Sequence, residues 1–574
     1  MRIAVIDKSK CKPKECDYLC MRVCPPQKNE VEVFKIDEET KKPVINELTC
    51  IGCGICVKKC PFNAIKIVNL PEQLKEDPIF RYGKNGFALF RLPLVRENSI
   101  VGIIGANGLG KSTALEILAG LKKPNFGQDK ELSYEEIKKR LKANELYNYF
   151  DKLEKKEIIP SYKPQFIEKI PLMFGDKTIK EVIEKYKDNP FYNELIEKLE
   201  LKHLLDRKIS NLSGGELQRL AILVSLLKNA NVFFIDEPSS YLDIKQRLNF
   251  ARTINYLREK RKDSYLIIEH DLIVLDYLSD YVHIFYGEKG VYGVVSSLRS
   301  TREGINEYLE GYLKSENIRF RDFEIKFEEK THFVKEKPEV LIELEEEVVD
   351  LKEFKLKINP GVIYKDEIIG IVGENGIGKT TFFHYLAKKY NQLISIKEQY
   401  LNPNRDEFVF EYVGEIKDSL VKKYAKELIG NLMEKQLNQL SGGELQRVEI
   451  IKALNKEADL YLFDEPSAYL DVEQRIKVAK ILREFTYLKN KTLMVIDHDL
   501  LFLDYLSDRI MVFTGEKGKQ GITNGPFEVK EGMNLFLKHL GITIRRDPET
   551  KRPRINKEGS RLDSEQKAKG EYYY

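Results

Sequence analysis

Short runs of apolar residues recur along the chain, and each run leads into a glycine or an acidic residue. Runs this short and this apolar are typical of buried parallel strands that alternate with helices. The pattern therefore predicts an α/β fold in which helices cover a parallel sheet. The runs cover residues 99–104, 232–235 and 266–268 in the first half of the chain, and 368–372, 460–463 and 493–496 in the second.

A helical pattern interrupts the first half of the chain. Apolar residues return at roughly helical spacing on either side of the polar segment Lys-Ala-Asn-Glu at 142–145. We expect a helix–loop–helix insert over about residues 123–160. The apolar positions are Tyr134, Ile137, Leu141, Leu146, Tyr149 and Leu153.

The chain contains an internal duplication. Leu-Ser-Gly-Gly-Glu-Leu-Gln-Arg, Asp-Glu-Pro-Ser and a His-Asp pair each occur twice, and all three return at one common offset along the chain. The lysines of two glycine-rich loops, Lys111 and Lys379, are separated by a longer interval, because the first copy carries the insert and the second is trimmed. Two tandem copies of one domain are expected. The repeated motifs lie at 212–219 and 440–447, at 236–239 and 464–467, and at 270–271 and 498–499.

Composition and charge narrow the class of protein. The chain has 574 residues, of which 42% are hydrophobic and 32% are charged, with 95 basic and 91 acidic residues. This length suits three or four domains, and the balanced charge indicates no polyanionic partner by itself. No run approaches the ~18–20 apolar residues of a membrane-spanning helix, and residues 1–7 meet charge too early for a secretory signal. We expect a soluble cytoplasmic protein.

All eight cysteines lie within the first sixty residues, which indicates one cofactor-binding module and not scattered disulfides. The second run, Cys-x₂-Cys-x₂-Cys-x₃-Cys-Pro, matches bacterial ferredoxins, where three close thiolates hold one [4Fe-4S] cluster and the fourth ligates the other. A wider cysteine run precedes it. Zinc in Cys₄ sites is the competing interpretation. Crossed ligation assigns Cys11, Cys16, Cys20 and Cys60 to one cluster, and Cys24, Cys50, Cys53 and Cys56 to the other.

The two glycine-rich loops have the context of phosphate loops, since each follows a predicted strand and precedes a helix. Glycines let backbone N–H groups converge on phosphates, and the helix N-terminus adds a favourable dipole. We expect Lys111 and Lys379 to reach the β- and γ-phosphates, and Ser112 and Thr380 to bind Mg²⁺. The other expected nucleotide contacts are Gly105, Asn107, Gly108, Gly110 and Thr113 in the first copy, and Gly373, Asn375, Gly376, Gly378 and Thr381 in the second.

Three further residues in each copy have the types and spacing that phosphate hydrolysis requires. An aspartate that ends a strand can anchor Mg²⁺ through water, and the glutamate after it can act as general base on the attacking water. A histidine at a fixed distance is expected to sense the γ-phosphate. Alone, such groups could instead be a helix cap and a core histidine. They are Asp236, Glu237 and His270 in the first copy and Asp464, Glu465 and His498 in the second.

Leu-Ser-Gly-Gly-Glu has the residue types of a helix N-terminus, with serine at the cap and glutamate in the first turn. Its position after a phosphate loop and a glutamine, and before Asp-Glu-Pro and histidine, resembles the ABC ATPases. In that family two domains pair head to tail, so that each phosphate loop faces the other Ser-Gly-Gly. The resemblance implies one site made of Lys111, Gln165, Glu237, His270, Ser441 and Gly443, and a second made of Lys379, Gln399, Glu465, His498, Ser213 and Gly215.

The adenine contact differs between the copies. ABC domains usually stack the base on an aromatic residue ahead of the phosphate loop, and Tyr82 and Phe87 both fit in the first copy. Alignment of Phe354 with Phe87 puts Val349 in the place of Tyr82. We therefore expect no stacking tyrosine in site two.

A twin-cluster ferredoxin module followed by twin ABC domains resembles ABC protein subfamily E, the RNase L inhibitor family. Segments 300–306, 316–321 and 545–557 match that family's hinges. The resemblance implies an ATP-driven ribosome recycling factor that splits ribosomes alongside a release factor or a Pelota-type factor. It also implies contact with small-subunit rRNA, no membrane partner, and a monomer whose ABC domains pair within the chain.

We divide the chain on this basis into a ferredoxin-like domain, two ABC domains and two hinge segments, and expect residues 299–322 and 532–561 to lie outside both ABC cores. Residues 545–561 carry seven Lys or Arg against three Asp or Glu. This cluster suits an RNA backbone, although an ordinary solvated tail would look similar. The predicted boundaries are 1–75, 76–298, 299–335, 336–530 and 531–574.

Two other functions compete with ribosome recycling. ATP-coupled electron transfer through the clusters is one, although no flavin, nicotinamide or second redox motif is present. The ATPase subunit of a transporter is the other, although a ferredoxin module has no role there.

Overall fold

The N-terminal module consists of short helices set between small antiparallel strand pairs. Its strands are β1 (Arg2–Ile6), β2 (Phe34–Ile36), β3 (Pro43–Ile45) and β4 (Ile65–Asn69), and its helices are α1 (Pro13–Cys16), α2 (Leu19–Arg22), α3 (Pro25–Lys28) and α4 (Ile55–Lys59). β1 pairs with β4, and β2 pairs with β3. Since β1 and β4 come from opposite ends of the module, their pairing brings the two cysteine runs together. The computed structural model describes residues 2–8, 10–38, 40–46, 49–69, 77–142, 144–321, 323–327, 338–390, 394–399 and 406–574.

The first ABC unit is built on a mixed sheet. Its strands are β5 (Phe80–Arg81), β6 (Ala88–Phe90), β7 (Ile100–Gly105), β8 (Pro160–Lys163), β9 (Val232–Asp236), β10 (Ser264–Ile268), β11 (Tyr281–Glu288), β12 (Tyr292–Val295) and β13 (Arg299–Ser300). The order across the sheet is β5-β6-β12-β11-β7-β10-β9-β8. Strands β8, β9, β10, β7 and β11 are parallel neighbours. The predicted runs form β7, β9 and β10, so the expectation of a buried parallel centre is confirmed.

The helices of the first unit cover both faces of this sheet. They are α5 (Lys111–Leu118), α6 (Tyr134–Arg140), α7 (Leu146–Glu154), α8 (Ile170–Phe174), α9 (Ile179–Ile183), α10 (Tyr192–Lys198), α11 (Gly214–Leu227), α12 (Ile244–Arg261), α13 (Leu272–Leu278) and α14 (Thr301–Glu310). The helical pattern at 134–153 forms α6 and α7, which pack beside the helix that follows the phosphate loop. The Tyr149 hydroxyl donates to the Leu118 carbonyl at 2.6 Å.

The second ABC unit repeats this architecture. After the short pair β14 (Tyr312–Leu313) and β15 (Ile318–Arg319), its strands are β16 (Val340–Leu344), β17 (Glu347–Asp350), β18 (Lys355–Ile358), β19 (Gly361–Tyr364), β20 (Ile368–Val372), β21 (Ile394–Lys397), β22 (Leu460–Asp464), β23 (Thr492–Ile496), β24 (Arg509–Glu516) and β25 (Gln520–Glu528). The sheet order is β17-β18-β25-β24-β20-β23-β22-β21. Its helices are α15 (Lys379–Lys389), α16 (Val409–Val413), α17 (Ser419–Ile429), α18 (Gly442–Asn455), α19 (Val472–Lys489), α20 (Leu500–Leu506) and α21 (Val529–Leu540).

Residues just beyond the predicted ABC boundaries pack on the sheets, which corrects the expectation that 299–322 and 532–561 lie outside both cores. Helix α14 lies on β11, and a Cβ at Gly304 would meet the Val282 side chain at 2.1 Å. Ile305 and Tyr308 of the same helix are buried in the core. The apolar face of α14 and the close approach at its glycine make it part of the first unit. The junction at 70–72 and part of the hinge lie outside the described residues.

The end of the chain forms the hairpin β26 (Ile544–Arg546) and β27 (Pro553–Ile555) and the helix α22 (Arg561–Lys569). Arg552 is 1% exposed, and its guanidinium lies 2.9 Å from Asp276 of α13. Arg554 lies 2.6 Å from the same carboxylate. The prediction that these two arginines face an RNA backbone is therefore wrong, because both form ion pairs with Asp276 within the molecule. Lys551 and Lys557 of the cluster are exposed.

Candidate functional site

The first glycine-rich loop joins β7 to α5, as the motif predicts. Gly108 and Gly110 have φ values of 81° and 83°, in the left-handed region that favours glycine. A Cβ at Gly110 would also lie 2.7 Å from the ring of Phe87. Lys111 is buried, and its ammonium donates to the carbonyls of Gly105 and Ala106 at 2.9 and 2.8 Å. The loop is thus a preformed cradle of backbone N–H groups closed by its own lysine.

The second loop has the same geometry. Gly376 and Gly378 have φ values of 77° and 92°, and the Lys379 ammonium donates to the carbonyls of Gly373 and Glu374 at 2.9 and 2.6 Å. The hydroxyl of Thr380 donates to Asp464 at 2.6 Å. Of the remaining predicted contacts, Ser112 and Thr113 lie in the first turn of α5, and Thr381 lies in the first turn of α15.

The strand-end aspartates are buried carboxylates with unused oxygens. Both carboxylate oxygens of Asp236, and one of Asp464, have no hydrogen-bond partner. Burial raises the pKa of Asp236 and raises that of Asp464 to about 6. Unpartnered buried carboxylate oxygens beside a phosphate-loop hydroxyl are a donor set that suits Mg²⁺. The residues present therefore fit the predicted cation.

Glu237 directly follows β9 in a left-handed conformation, with φ 47°. Backbone strain of this kind is typical of functional positions. Its carboxylate lies 3.1 Å from Nε2 of His270. Burial alone would raise the pKa of Glu237, but His270, Lys111 and Gln165 hold it at about 2. The carboxylate is therefore ionised and aimed into the site, as a general base must be.

The second copy has the same arrangement. Glu465 has φ 49°, lies 3.3 Å from Nε2 of His498, and accepts a hydrogen bond from the Gln399 amide at 2.8 Å. Burial would again raise the pKa of Glu465, but His498 holds it at about 2. The structure thus brings the predicted glutamate, histidine and glutamine together in both copies.

Each Ser-Gly-Gly motif begins a helix, as predicted. Ser213 caps α11 in a capping box with Glu216, and Ser441 caps α18 with Glu444. A Cβ at Gly215 would lie 2.8 Å from the carbonyl oxygen of Tyr241, and the same distance separates a Cβ at Gly443 from the Tyr469 carbonyl. Each second glycine is therefore required by close backbone approach within its own unit.

The two units contribute jointly to one large cavity of about 470 Å³. Ser213 and Gly215 of the first unit line it together with Lys379, Gln399 and Glu465 of the second. These residues are the ones that head-to-tail pairing implies for site two, and the same cavity also reaches Glu237 and His270 of the first unit. The further lining from the second unit includes Asn375, Gly376, Gly378, Thr380, Thr381, Asp464 and His498.

Two aspartates that the sequence analysis missed join the units at these loops. The backbone N–H of Asn375 donates to Asp243 at 2.9 Å, and that of Asn107 donates to Asp471 at 3.0 Å. Each aspartate caps the long helix of its own unit, α12 or α19. A signal was present, because Asp243 and Asp471 occupy equivalent positions of the duplicated sequence, shortly after each Asp-Glu-Pro-Ser motif.

A buried lysine lies behind each aspartate–glutamate pair, and neither was predicted. The ammonium of Lys163 donates to the Asp236 carbonyl at 2.9 Å, and that of Lys397 to the Asp464 carbonyl at 2.8 Å. Burial lowers the pKa of Lys163 and lowers that of Lys397 to about 8. Each lysine is two residues before the predicted glutamine, so it ties that strand to the strand that carries the acids.

The hairpin ahead of each phosphate loop shows which residue of the second copy corresponds to Tyr82, and it corrects the alignment with Val349. Tyr82 is 44% exposed, and its hydroxyl lies 3.0 Å from Thr113, while Phe87 packs against the loop glycine. In the second copy the N–H of Leu351 donates to the Phe354 carbonyl, just as Tyr82 donates to Phe87. Leu351, and not Val349, is therefore the counterpart of Tyr82, because the second turn is two residues shorter. No tyrosine occupies this position in the second copy.

The cysteines surround two separate cavities in the N-terminal module. Cys24, Cys50, Cys53 and Cys56 line one, and Cys11, Cys16, Cys20 and Cys60 line the other. This grouping agrees with crossed ligation, although ligation itself stays a prediction. Among the described residues, no three Cys, His, Asp or Glu converge on a point that a single ion could occupy. Sulfurs spread around a cavity suit an iron–sulfur cluster better than one zinc ion.

These features define a class: a twin ABC-type ATPase with an N-terminal iron–sulfur module. The ABC transporter family model matches residues 94–240 and 391–468, a 4Fe-4S binding domain matches 43–66, and a possible Fer4-like domain of RNase L inhibitor matches 1–32. Among the helices in the described part of the chain, none has the length and apolar character needed to cross a membrane.

Full-length relatives share this organisation. An uncharacterised ABC transporter ATP-binding protein of Methanocaldococcus jannaschii is 48% identical, covering 100% of this chain and 98% of the relative. Translation initiation factor RLI1 of Saccharomyces cerevisiae is 41% identical with the same coverage. A structure of ribosome-bound archaeal Pelota and ABCE1 matches with a TM-score of 0.93 at 49% identity, over 100% of this chain and 99% of that one.

A complex of the archaeal ribosomal stalk protein aP1 with the archaeal ribosome recycling factor aABCE1 matches with a TM-score of 0.82 at 48% identity, over 88% of this chain and 100% of that one. The chain belongs to ABC protein subfamily E, the RNase L inhibitor family. It is an ABC-type ATPase whose cofactors are [4Fe-4S] clusters, ATP and Mg²⁺.

Proposed function

We propose that the chain is an ATP-hydrolysing ribosome recycling factor of the cytoplasm, which splits ribosomes into subunits through closure of its ABC units. The cavity built from both units carries this proposal. Because Ser213 and Gly215 of the first unit line this cavity together with Lys379 of the second, ATP bound there would contact both units and favour their closed state. The relatives named as translation and ribosome recycling factors support the choice of the ribosome as the object of that motion.

In this mechanism the phosphate loops bind and orient ATP. The N–H groups of each loop and its lysine hold the β- and γ-phosphates, while the Ser-Gly-Gly helix of the other unit covers the γ-phosphate with its N-terminus. Mg²⁺, when bound, neutralises charge on the phosphate oxygens. Asp236 with Ser112, and Asp464 with Thr380, would hold it. Tyr82 is the better candidate for stacking on adenine in site one, because Phe87 is committed to the loop.

Hydrolysis at each site is assigned to the glutamate that follows the aspartate. Glu237 or Glu465 takes a proton from water as the water oxygen bonds to the γ-phosphorus and the bond to ADP breaks. His270 or His498 holds that carboxylate and is assigned the contact with the γ-phosphate. Gln165 or Gln399 helps to orient the water, and its strand is tied to the acids by the buried lysine.

Closure moves the iron–sulfur module in this proposal. Val5 of β1 packs in a cluster with residues of the first ABC unit, and Lys66 lies 2.7 Å from Glu288 of β11. The module therefore rests on the first unit and would swing with it. On a ribosome, this swing would drive the module toward the subunit interface, alongside a release factor or a Pelota-type factor.

The test is a splitting assay with cluster-loaded protein, ribosomes, and a release or Pelota-type factor, monitored by light scattering. ATP should produce free subunits, and the double variant Glu237→Gln/Glu465→Gln should bind ribosomes without cycling. Ribosomes that neither co-sediment with the protein in a non-hydrolysable ATP analogue nor split with ATP would contradict the proposal.

Contact with small-subunit RNA is assigned to the helix–loop–helix insert, the 299–321 segment and the exposed lysines near the end of the chain. Lys139 is exposed in the last turn of α6, Lys142 is exposed between α6 and α7, and Lys557 is exposed beyond β27. Replacing all three with alanine should reduce the slope of log affinity against log salt by roughly three, about one for each lost phosphate contact. The control is Lys180→Ala on the exposed surface of α9, and an unchanged slope in the triple variant would remove the assignment.

The redox dependence of splitting distinguishes the proposal from the electron-transfer alternative. If the module acts as a moving rigid body, splitting should require intact clusters but proceed equally at two controlled potentials, one oxidising and one reducing. Splitting that follows the redox state of the clusters would favour ATP-coupled electron transfer instead.

A further inference from the structure

The two phosphate loops differ at one residue that faces the opposite unit. The first loop reads Gly105-Ala-Asn-Gly, and the second reads Gly373-Glu-Asn-Gly. The backbone of this residue does the same work in both copies, since the carbonyl of Ala106 or Glu374 accepts from the loop lysine. Only the second copy has a side chain here that can reach across the interface.

The side chain of Glu374 contacts a cation of the first unit and a histidine of its own unit. Its carboxylate lies 3.2 Å from the ammonium of Lys245, and Nε2 of His539 on α21 lies 3.6 Å away. Lys245 is two residues after Asp243, which accepts from the N–H of Asn375. Two neighbouring contacts therefore join the start of α12 to adjacent residues of the second loop.

Site one has no charged loop residue at this position, and its cross-unit ion pair is built differently: Lys289, in the turn after β11, lies 3.5 Å from Asp471 of the second unit. The residue that corresponds to Lys245 in the second copy is Glu473, and its carboxylate lies 3.1 Å from Arg321 and 3.9 Å from Lys289. Ala106 offers it no charge. The first loop itself therefore contacts α19 through the N–H of Asn107 and Asp471, while the ion pairs of Glu473 are with the hinge and with Lys289 and do not involve a loop side chain.

We propose that Glu374 is a positioning residue of site two: held in place by His539 of its own unit, it forms with Lys245 of the first unit a cross-unit latch that slows opening of this site. The latch exists only while α12 lies against the second loop, so it stabilises the closed state by the free energy of the contact. This proposal rests on ATP binding between the paired units and not on the ribosome. It therefore holds even if the proposed role in ribosome recycling is wrong.

Release of a fluorescent non-hydrolysable ATP analogue tests the latch. Full-length, cluster-loaded protein with Lys111→Ala is expected to bind nucleotide at site two only, which the binding stoichiometry verifies. In this background Glu374→Ala should speed release about two- to fivefold, the range for a partly exposed ion pair. Salt should erase the difference, because it screens exposed charges. Unchanged release at low salt would overturn the proposal.

A charge exchange separates the latch from a general effect on folding. Glu374→Lys and Lys245→Glu should each speed release, and the double variant should return it to within about twofold of the parent, because opposite charges again face each other. A double variant as fast as either single variant would also overturn the proposal.

The matched control is Ala106→Glu with Lys379→Ala, which confines nucleotide to site one. This glutamate would face Glu473, so it should not slow release. Slower release in this control would show that a loop glutamate acts without a cross-unit cation, contrary to the latch.

Discussion

The first and second ABC units agree closely where the reacting groups lie and differ around them. The glutamate–histidine distances are 3.1 and 3.3 Å, and the buried lysines reach the aspartate carbonyls at 2.9 and 2.8 Å. Among the described residues only the first unit has helices equivalent to α6 and α7, and its hairpin carries Tyr82 where the second has Leu351. Any inequality between the two ATP sites must therefore come from their surroundings and not from the hydrolytic residues.

The end of the chain contacts equivalent residues of both units. Asp276 in the first and Asp504 in the second occupy the same position of the duplicated sequence. Asp276 pairs with Arg552, just before β27, and with Arg554 of β27, whereas Asp504 pairs with Arg546 of β26 and with the Tyr573 hydroxyl. One hairpin thus binds the same position of each copy with opposite strands, which ties the two units together without making their contacts identical.

Loss of an iron–sulfur cluster is the largest expected effect. It tests whether the last cysteine of each run ligates the cluster held by the other run. Cys24→Ser should remove the cluster of the Cys50, Cys53 and Cys56 cavity, about half of the roughly eight irons per chain. Cys60→Ser should remove the other. Iron and sulfide assays with electron paramagnetic resonance of anaerobic protein measure this. Loss of the cluster from a variant's own run, or zinc without sulfide, would contradict this crossed ligation.

The catalytic glutamates should show whether matched geometry means matched function. Glu465→Gln and Glu237→Gln should each lower hydrolysis at their site by roughly 10²–10⁴, the cost of a lost general base. We expect the two variants to differ in overall turnover and in occluded ATP, because the surroundings differ. Steady-state hydrolysis and filter-trapped nucleotide are the measurements, and identical values for both variants would show that the sites are equivalent.

The two aspartates bound by the C-terminal hairpin should differ in their effect on stability. Asp276→Asn leaves the fully buried Arg552 without its ion pair and should cost about 3–5 kcal/mol. Asp504→Asn affects Arg546, which is 31% exposed at its side chain, and should cost about 1 kcal/mol. Denaturant unfolding of the two variants against the parent gives the comparison. Equal costs would mean that burial does not distinguish the two contacts.

Adenine stacking is the smallest predicted difference between the sites. Tyr82→Leu, which installs the residue of the second copy, should weaken ATP binding at site one about fivefold, the lower end for a base stacked on an aromatic ring. Leu351→Tyr is the reciprocal variant and should strengthen site two. Equilibrium binding of an ATP analogue to each site measures both, and an unaffected Tyr82→Leu protein would assign the adenine contact elsewhere.

The sequence determined the features that a few consecutive residues encode. The phosphate loops, the capping boxes at Ser213 and Ser441, and the apolar strands ending in Asp236 and Asp464 depend on local geometry, so their motifs predicted them correctly. The repetition of these motifs at one offset predicted two ABC units, because each copy encodes the same local elements. The hydrogen bonds and φ values of these elements involve only neighbouring residues, so the elements do not depend on the path of the rest of the chain.

Tertiary structure decided which side chains are buried and which meet across units. Arg552 appears in the sequence as part of a basic cluster, but its exposure depends on Asp276, which lies far away along the chain. Lys163 looks like an ordinary strand lysine until β9 places a carbonyl beside it. Asp243 and Glu374 each have a partner in their own unit, but their contacts with Asn375 and Lys245 form only when the units pair. Whether a charged side chain is buried and paired depends on residues that are distant in sequence. A local sequence pattern therefore does not predict it.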